Sequence, residues 1–201
     1  GLRRDGARYW YRLLFVIPMV VPGLVMTFMW RFILDPNVGL ANALLEFIGG
    51  EGWRQPWLGS TRTVLYSFML IGFPYVSGIN TLIYLAGLQN IPLEIFDASR
   101  VDGATGLRRF FSIDLPLVMG QVKLLLILGV IGGLQAYQQQ LILTNGGPGY
   151  ASMMPGLVMY KEAFSFSSIG YASSIGVLMF LVILGLTYLN LRYVRSTAQL
   201  T

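Results

Sequence analysis

Four long apolar runs constrain this chain more than any other feature of its sequence. They cover about residues 13–30, 63–88, 120–143 and 169–191, and the one charge within their bounds is Lys123, near an end. Each run is roughly the length a helix needs to cross a bilayer. Only 11% of the 201 residues are charged, less than half the ~25% of an ordinary soluble domain, so water-facing surface is too scarce to hide four such runs. The expected fold is an all-α membrane protein: one helical transmembrane domain over residues 1–201, with four spans in this chain.

Between the second and third runs lies a charged island, residues 90–117, NIPLEIFDASRVDGATGLRRFFSIDLPL. It holds Glu94, Asp97, Arg100, Asp102, Arg108, Arg109 and Asp114. A charged island between apolar runs reads as a loop in water between two spans. Its chemistry also specifies order. Pro92 suits the first turn of a helix, where its missing N–H costs nothing. Glu94 and Asp97 then sit near the positive end of the helix dipole. Gly103 offers a place to end or bend that helix. A second short helix is expected from about Ala104 to Phe111, with Pro116 restarting the chain. Phe96, Val101, Leu107, Phe110 and Phe111 are too apolar for a merely solvated loop, so they pack on the membrane domain or on a partner.

The basic, aromatic start of the chain, Arg3, Arg4, Arg8 and Arg12 interleaved with Tyr9, Trp10 and Tyr11, reads as a membrane interface rather than a nucleic-acid patch. Pro18 and Pro22 fall inside the first span and are expected to kink it. In the loop at 31–62, Leu40, Ala43, Leu44, Phe47 and Ile48 recur at helical spacing and Gly49-Gly50 ends the pattern. This helix is expected to lie along the membrane surface, with a soluble partner as the sharper alternative. Trp53 and Trp57 are placed at the outer interface.

In the second span, Pro74 is a candidate kink. Ser77, Asn80, Thr81 and Tyr84 make one polar stripe, which should face the bundle interior or a watery path. In the third, Gly129, Gly132 and Gly133 allow close helix approach. Gln135, Tyr137, Gln138, Gln139 and Gln140 follow near its end. Those side chains need hydrogen-bond partners, which either a hydroxyl-rich ligand or neighbouring helices can supply. The turn Asn145-Gly-Gly-Pro-Gly149 has no following Gly-Lys-Ser/Thr, so it is not a phosphate loop.

Placing the N-terminus, the central loop and the C-terminus on the inner side puts ten of the fourteen Lys and Arg residues inside. That bias obeys the positive-inside rule and sets the island in the cytoplasm. The net charge of +5 is thereby explained by topology, and nucleic-acid binding is not expected. With no cysteine and no histidine, the usual zinc sites and Ser-His-Asp triads cannot be built, and no metal site is expected. The span interiors offer no ionisable group for a proton-coupled carrier. No Walker A pattern is present, so the chain is not expected to be an enzyme or to bind ATP itself.

The island resembles the signature of the membrane subunits of binding-protein-dependent ABC importers. That signature is an EAA triplet, three residues, a Gly, nine residues, then Ile-x-Leu-Pro. Here Asp97-Ala98-Ser99, Gly103 and Ile113-Asp114-Leu115-Pro116 keep both spacings, and Asp102-Gly103-Ala104 matches the DGA of the carbohydrate-type branch. Asp97 replaces the Glu and Ser99 the second Ala. Further likenesses are the Pro-rich first span ending in Trp30, the Thr144-x-Gly-Gly-Pro turn and Tyr160-x-x-Ala-Phe164. Where the family usually has Phe-Asp, this chain has Tyr137-Gln138, a change that removes a carboxylate.

The resemblance implies a helical bundle of the type I ABC importer kind, with loop 89–117 as a cytoplasmic coupling helix that docks on an ATPase subunit. Glu94, Asp97, Ala98, Ser99, Asp102, Gly103, Ala104, Ile113, Leu115 and Pro116 are the coupling residues so implied. Ser77, Asn80, Tyr84, Gln135, Tyr137 and Gln138 are the expected substrate path. The implied function is import of a sugar or oligosaccharide across a bacterial or archaeal cytoplasmic membrane, with glycerol phosphate or a peptide as the alternative cargo and an ion-coupled carrier as the alternative class. The implied partners are two ATPase subunits, which hold ATP and Mg, a second permease subunit and an extracytoplasmic solute-binding protein. About two further spans are expected before residue 1.

Overall fold

The structure, a computed structural model, describes residues 10, 20–72 and 78–193, all of them in helices, turns and connecting segments. The chain falls into two compact units. One comprises Ile17–Val76 and Gly133–Phe180; the other comprises Gly1–Val16, Ser77–Gly132 and Leu181–Thr201.

In the first of these units, α1 spans Gly23–Ile33. Val20 is helical, but the helix breaks at Val21 and restarts after Pro22, which serves as the N-cap of α1. Pro22 thus begins a helix instead of kinking one, at a position where its missing N–H costs nothing. Pro18 lies outside the described residues. After α1, the Asp35 carboxylate accepts hydrogen bonds from the backbone N–H groups of Asn37 and Val38 at 2.8 and 3.0 Å. These two bonds, that from Val38 first, hold its pKa below the ordinary aspartate value.

The amphipathic helix forms as expected: α2 spans Leu40–Gly49. Leu40, Leu44, Phe47 and Ile48 are exposed on one side of it, while Asn42 is 1% exposed. The Asn42 amide is fully used. Its Nδ2 donates to the carbonyls of Pro36 and Gln55, both at 3.0 Å. Its Oδ1 accepts from the Gln55 N–H at 3.0 Å and from Trp57 Nε1 at 2.9 Å. Trp57 also packs against a core of Leu34, Ile71 and Leu143, together with Trp30, Leu58 and Phe68. It is an inward anchor of the loop, whereas Trp53 is exposed. Ser67 of α3, Val64–Gly72, is fully buried and donates to the Trp57 carbonyl at 2.8 Å.

The second unit contains α4, Gly78–Gln89, and α5, Leu93–Val101, with Pro92 as the N-cap of α5. Then follow α6, Gly106–Arg109, a π-helical turn, Phe110–Asp114, and α7, Leu115–Leu117. The expected second short helix therefore begins two residues late and does not stop at Phe111. The chain stays helical through Pro116, which lies in the first turn of α7 and does not interrupt it.

The third apolar run is two helices, α8, Met119–Gln135, and α9, Gln138–Leu143. Counted together they reach 25 residues with a mean hydropathy of 1.5. The fourth run is α11, Ile169–Tyr193, also 25 residues, at 2.2. Both are long and apolar enough to cross a membrane. Between them lie α10, Pro155–Tyr160, and a second π-helical turn, Lys161–Ser165. Lys123 Nζ donates to the Leu191 carbonyl at 2.8 Å, a cation at the negative end of α11. A Cβ at Gly129, Gly132 or Gly133 would meet open space, so those glycines are not packing points among the described residues.

Candidate functional site

The break between α8 and α9 creates the first candidate site. Tyr137 has φ −146 and ψ −33, outside helical geometry, and serves as the N-cap of α9. Backbone held close to the gap explains why it can persist. At Gly156 of α10, an added Cβ would lie 2.7 Å from the Gln135 carbonyl oxygen and 2.9 Å from that of Ala136. No other residue lets the first turn of α10 come this close to the broken helix end. The Tyr137 ring stacks on Tyr160, centroids 4.9 Å apart and planes 17° off parallel, and Tyr160 leans on Phe164 at 5.1 Å. The break is thus held by a close backbone approach on one side and an aromatic stack on the other.

A cavity of about 550 Å³ opens at the break. Gln135, Tyr137 and Gln138 all line it, so three of the expected substrate-path residues come together. Gln139 and Gln140, from the same run of amides, line it too, as do Thr27, Trp30 and Phe68, which were not expected there. Thr27 had a signal, a hydroxyl inside an apolar run, but that hydroxyl back-bonds to the Gly23 carbonyl at 2.9 Å. Gln140 is buried and its Oε1 has no partner among the described residues. Among the described residues, no charged side chain lines the cavity. Its chemistry is that of neutral hydrogen-bonders beside aromatic faces, which suits a polyhydroxylated, uncharged ligand. A smaller groove of about 370 Å³ shares Tyr137 and runs along Tyr160, Phe164, Ala172 and Gly176.

The remaining substrate-path residues lie in the other unit or outside the described residues. Asn80 is exposed and Tyr84 half-buried on α4. Ser77 and Pro74 fall outside the described residues.

The second candidate site is the charged segment itself. Glu94 is exposed in the first turn of α5. Asp97 and Ala98 are exposed, and Asp97 pairs with Arg100 at 3.0 Å on the same helix face. Both side chains of that pair are more than two-thirds exposed, so it contributes little to stability. Ser99 is buried, and its hydroxyl donates to the Phe96 carbonyl at 2.7 Å. Its own carbonyl accepts the Ala104 N–H at 2.8 Å, closing the helix end over the Asp102-Gly103 turn. Gly103 makes this turn with φ +69, a conformation that other residues rarely adopt, and Ala104 tucks under it. Ile113, Leu115 and Pro116 are half-buried.

The segment also exposes large apolar side chains. Leu93, Val101, Leu107 and Phe111 are each more than 60% exposed, more apolar surface than a merely solvated loop of this length would carry. Asp114, unremarkable in the sequence, is buried and paired with Arg109 at 3.2 Å.

Helices of bilayer length, a broken helix beside a polar cavity and an ordered charged loop between apolar segments describe a membrane transport component. The fold agrees. A chain of a bacterial alginate ABC transporter, solved in complex with an alginate pentasaccharide-bound periplasmic protein, superposes with a TM-score of 0.79 at 19% identity, over 92% of this chain and 64% of that one. The family described as binding-protein-dependent transport system inner membrane component matches residues 2–196, and this chain belongs to it. The probable ABC transporter permease protein YurN of Bacillus subtilis is 30% identical over 92% of this chain and 64% of its own length. The arabinooligosaccharides transport system permease protein AraP of the same organism is 29% identical over 88% of this chain and 56% of its own. The chain therefore spans less than two-thirds of the length of these relatives.

Proposed function

We propose that this chain is the membrane-spanning permease subunit of an ATP-driven, binding-protein-dependent importer, and that its cargo is a neutral sugar or oligosaccharide. The observation that carries the cargo assignment is the cavity at the α8–α9 break. Its polar groups are amides, a phenol and a hydroxyl, with no fixed charge among the described residues for a phosphate, a uronate or a peptide terminus. Sugar hydroxyls match such groups, and rings stack on aromatic faces. The relative AraP, named for arabinooligosaccharides, supports the same class.

In this reading the chain crosses a bacterial or archaeal cytoplasmic membrane four times, in the manner of type I ABC importers. The 89–117 loop faces the cytoplasm as the coupling element. Glu94, Asp97, Ala98 and Asp102 meet the ATPase, Ser99, Gly103 and Ala104 shape the turn, and Ile113, Leu115 and Pro116 join it to α8. Two ATPase subunits hold ATP and Mg; this chain supplies no catalytic group and holds no metal. A second permease subunit completes the pore, and an extracytoplasmic binding protein delivers cargo. ATP-driven closure of the ATPases draws the coupling elements together and turns the cavity outward, and hydrolysis resets it. This is a two-state element biased by nucleotide at one end and by cargo at the other.

The test is uptake of radiolabelled neutral oligosaccharides into proteoliposomes holding the full-length subunit with its partners. Uptake requires ATP and no ion gradient. Gln138→Leu removes one hydrogen bond to cargo and is expected to raise KM about tenfold, the equivalent of ~1.4 kcal/mol, with assembly intact. Uptake that follows a proton or sodium gradient refutes the class, and unchanged kinetics in Gln138→Leu remove the cargo site from this cavity.

A further inference from the structure

The charged segment has two limbs: α5 before the Gly103 turn, and α6 with its π-helical turn after it. The coupling residues expected from the sequence lie along the first limb and at the far end of the second. Arg109, the last residue of α6, is not among them, yet it reaches back to the first limb. Its guanidinium carbon lies 5.1 Å from the centroid of the Phe96 ring on α5. Its Nε donates to Asp114 Oδ2 at 3.2 Å. The Arg109 side chain is about two-thirds buried and that of Asp114 is 12% exposed, so this pair is far more sheltered than Asp97–Arg100. Asp114 Oδ1 has no partner among the described residues. Arg109 is therefore the one counter-charge described for a buried carboxylate that stands immediately before Leu115-Pro116 and α8.

We infer that Arg109 is the positioning residue that makes the two limbs move as one body, a latch from Phe96 on α5 through its guanidinium to Asp114 at the root of α8. The inference rests on the reading of this segment as the coupling element. The chemistry fits the task. A planar guanidinium can lie on an aromatic face and still donate in its own plane to a carboxylate, which a lysine ammonium cannot do as well. The π-helical turn supplies the geometry, because its extra residue re-aims the chain between Arg109 and Asp114. Without the latch, α5 still docks through its exposed residues. The Gly103 turn can then flex, and the displacement is spent there instead of reaching α8.

The natural absence of cysteine gives a direct test. Gln139→Cys at the cavity adds a thiol to a region that has none, in the full-length subunit with any cysteine elsewhere in it and in its partners replaced, assembled in proteoliposomes. Its labelling rate by a membrane-impermeant maleimide is read without nucleotide and with ATP, Mg and vanadate. On the otherwise unchanged background the rate is expected to change at least fivefold. Arg109→Lys and Phe96→Leu should each reduce that response to under twofold while the ATPase still co-purifies and hydrolyses ATP. Because both remove the same link, the double variant should be no worse than Arg109→Lys alone. A retained response in either variant, or additive losses, overturns the latch and leaves the coupling reading standing. Loss of the ATPase from both variants also overturns it, since Arg109 would then only fold the loop. If the background protein shows no nucleotide response, the coupling reading falls and the latch falls with it.

Discussion

Replacing Asn42 by Ala should loosen the whole 35–57 loop, and the structure sets the size of the effect. Four hydrogen bonds of 2.9–3.0 Å end on this one amide. Its orientation is dictated by its partners: Oδ1 faces two N–H donors and Nδ2 faces two carbonyls, so a flipped amide would lose all four. At about 1 kcal/mol each the bonds sum to roughly 4 kcal/mol. Gln55 and Pro36 sit on exposed stretches, where water can reach part of what is freed. Trp57 Nε1, packed beside the core, is less readily rescued. The expected cost is therefore about 2–3 kcal/mol of local stability.

The assay is hydrogen exchange of backbone amides 36–57 in nanodiscs, which reads local opening directly. A cost of 2–3 kcal/mol corresponds to exchange faster by about 30- to 150-fold at the Gln55 amide and along α2. Asn42→Asp sharpens the test. It keeps acceptor oxygens for Gln55 N–H and Trp57 Nε1 but turns a carboxylate towards two carbonyls, so it should be at least as damaging as Ala. Acceleration of less than threefold in Asn42→Ala, or an Asp variant close to the native protein, would refute the view that this amide organises the loop.

Three further outcomes follow from particular contacts. Gly156→Val should push α10 off the α8–α9 break at a cost of about 1–3 kcal/mol, and uptake should show a KM raised at least fivefold with the complex still assembled; unchanged uptake would mean that the break does not shape the cavity. Gly103→Val should strain the turn by about 1–2 kcal/mol, while an added Cβ meets open space among the described residues; Gly103→Asp tolerates the backbone better, so if it abolishes ATPase co-purification as fully as Val does, the loss arises at the partner surface and not in the turn. Asp35 has its pKa lowered by two backbone N–H groups, so the stability it lends the 35–38 turn is present above the unfolded aspartate value and is lost as pH falls through the lower folded one, below about pH 4; exchange at Asn37 and Val38 should accelerate there, and Asp35→Asn should flatten that dependence.

What the sequence made legible was whatever depends on long sums or on special backbone residues. The third and fourth apolar runs announce helical stretches of bilayer length because some twenty side chains agree, whereas among the described residues the first two give only shorter helices. Pro92 and Gly103 mark the ends of α5 because one lacks an N–H and the other tolerates positive φ. The amphipathic helix Leu40–Gly49 was visible for the same reason, five apolar residues in register. The residue that pins it was not. Asn42 looks like one more polar position on a surface helix, and only the return of Gln55 and Trp57 across the loop turns it inward.

The break at Ala136–Tyr137 shows why a candidate site can stay hidden while the helix that carries it is plain. Neither residue is a helix breaker, and Gly132 and Gly133, the local suspects, lie inside α8. The helix parts where Gly156 and Tyr160, about twenty residues downstream, come against it. One offers a place without a side chain, and the other a ring for Tyr137 to stack on. Tertiary contact has overridden local propensity at the point where amide side chains gather around a cavity. The same holds for the π-helical turns at Phe110–Asp114 and Lys161–Ser165, which no local residue choice announces. The first holds Arg109 against Asp114, and the second holds Tyr160 and Phe164 in their stack. In this chain the features hardest to read from sequence are departures from regular helix, and they are also where the polar and aromatic groups with chemistry to offer are brought together.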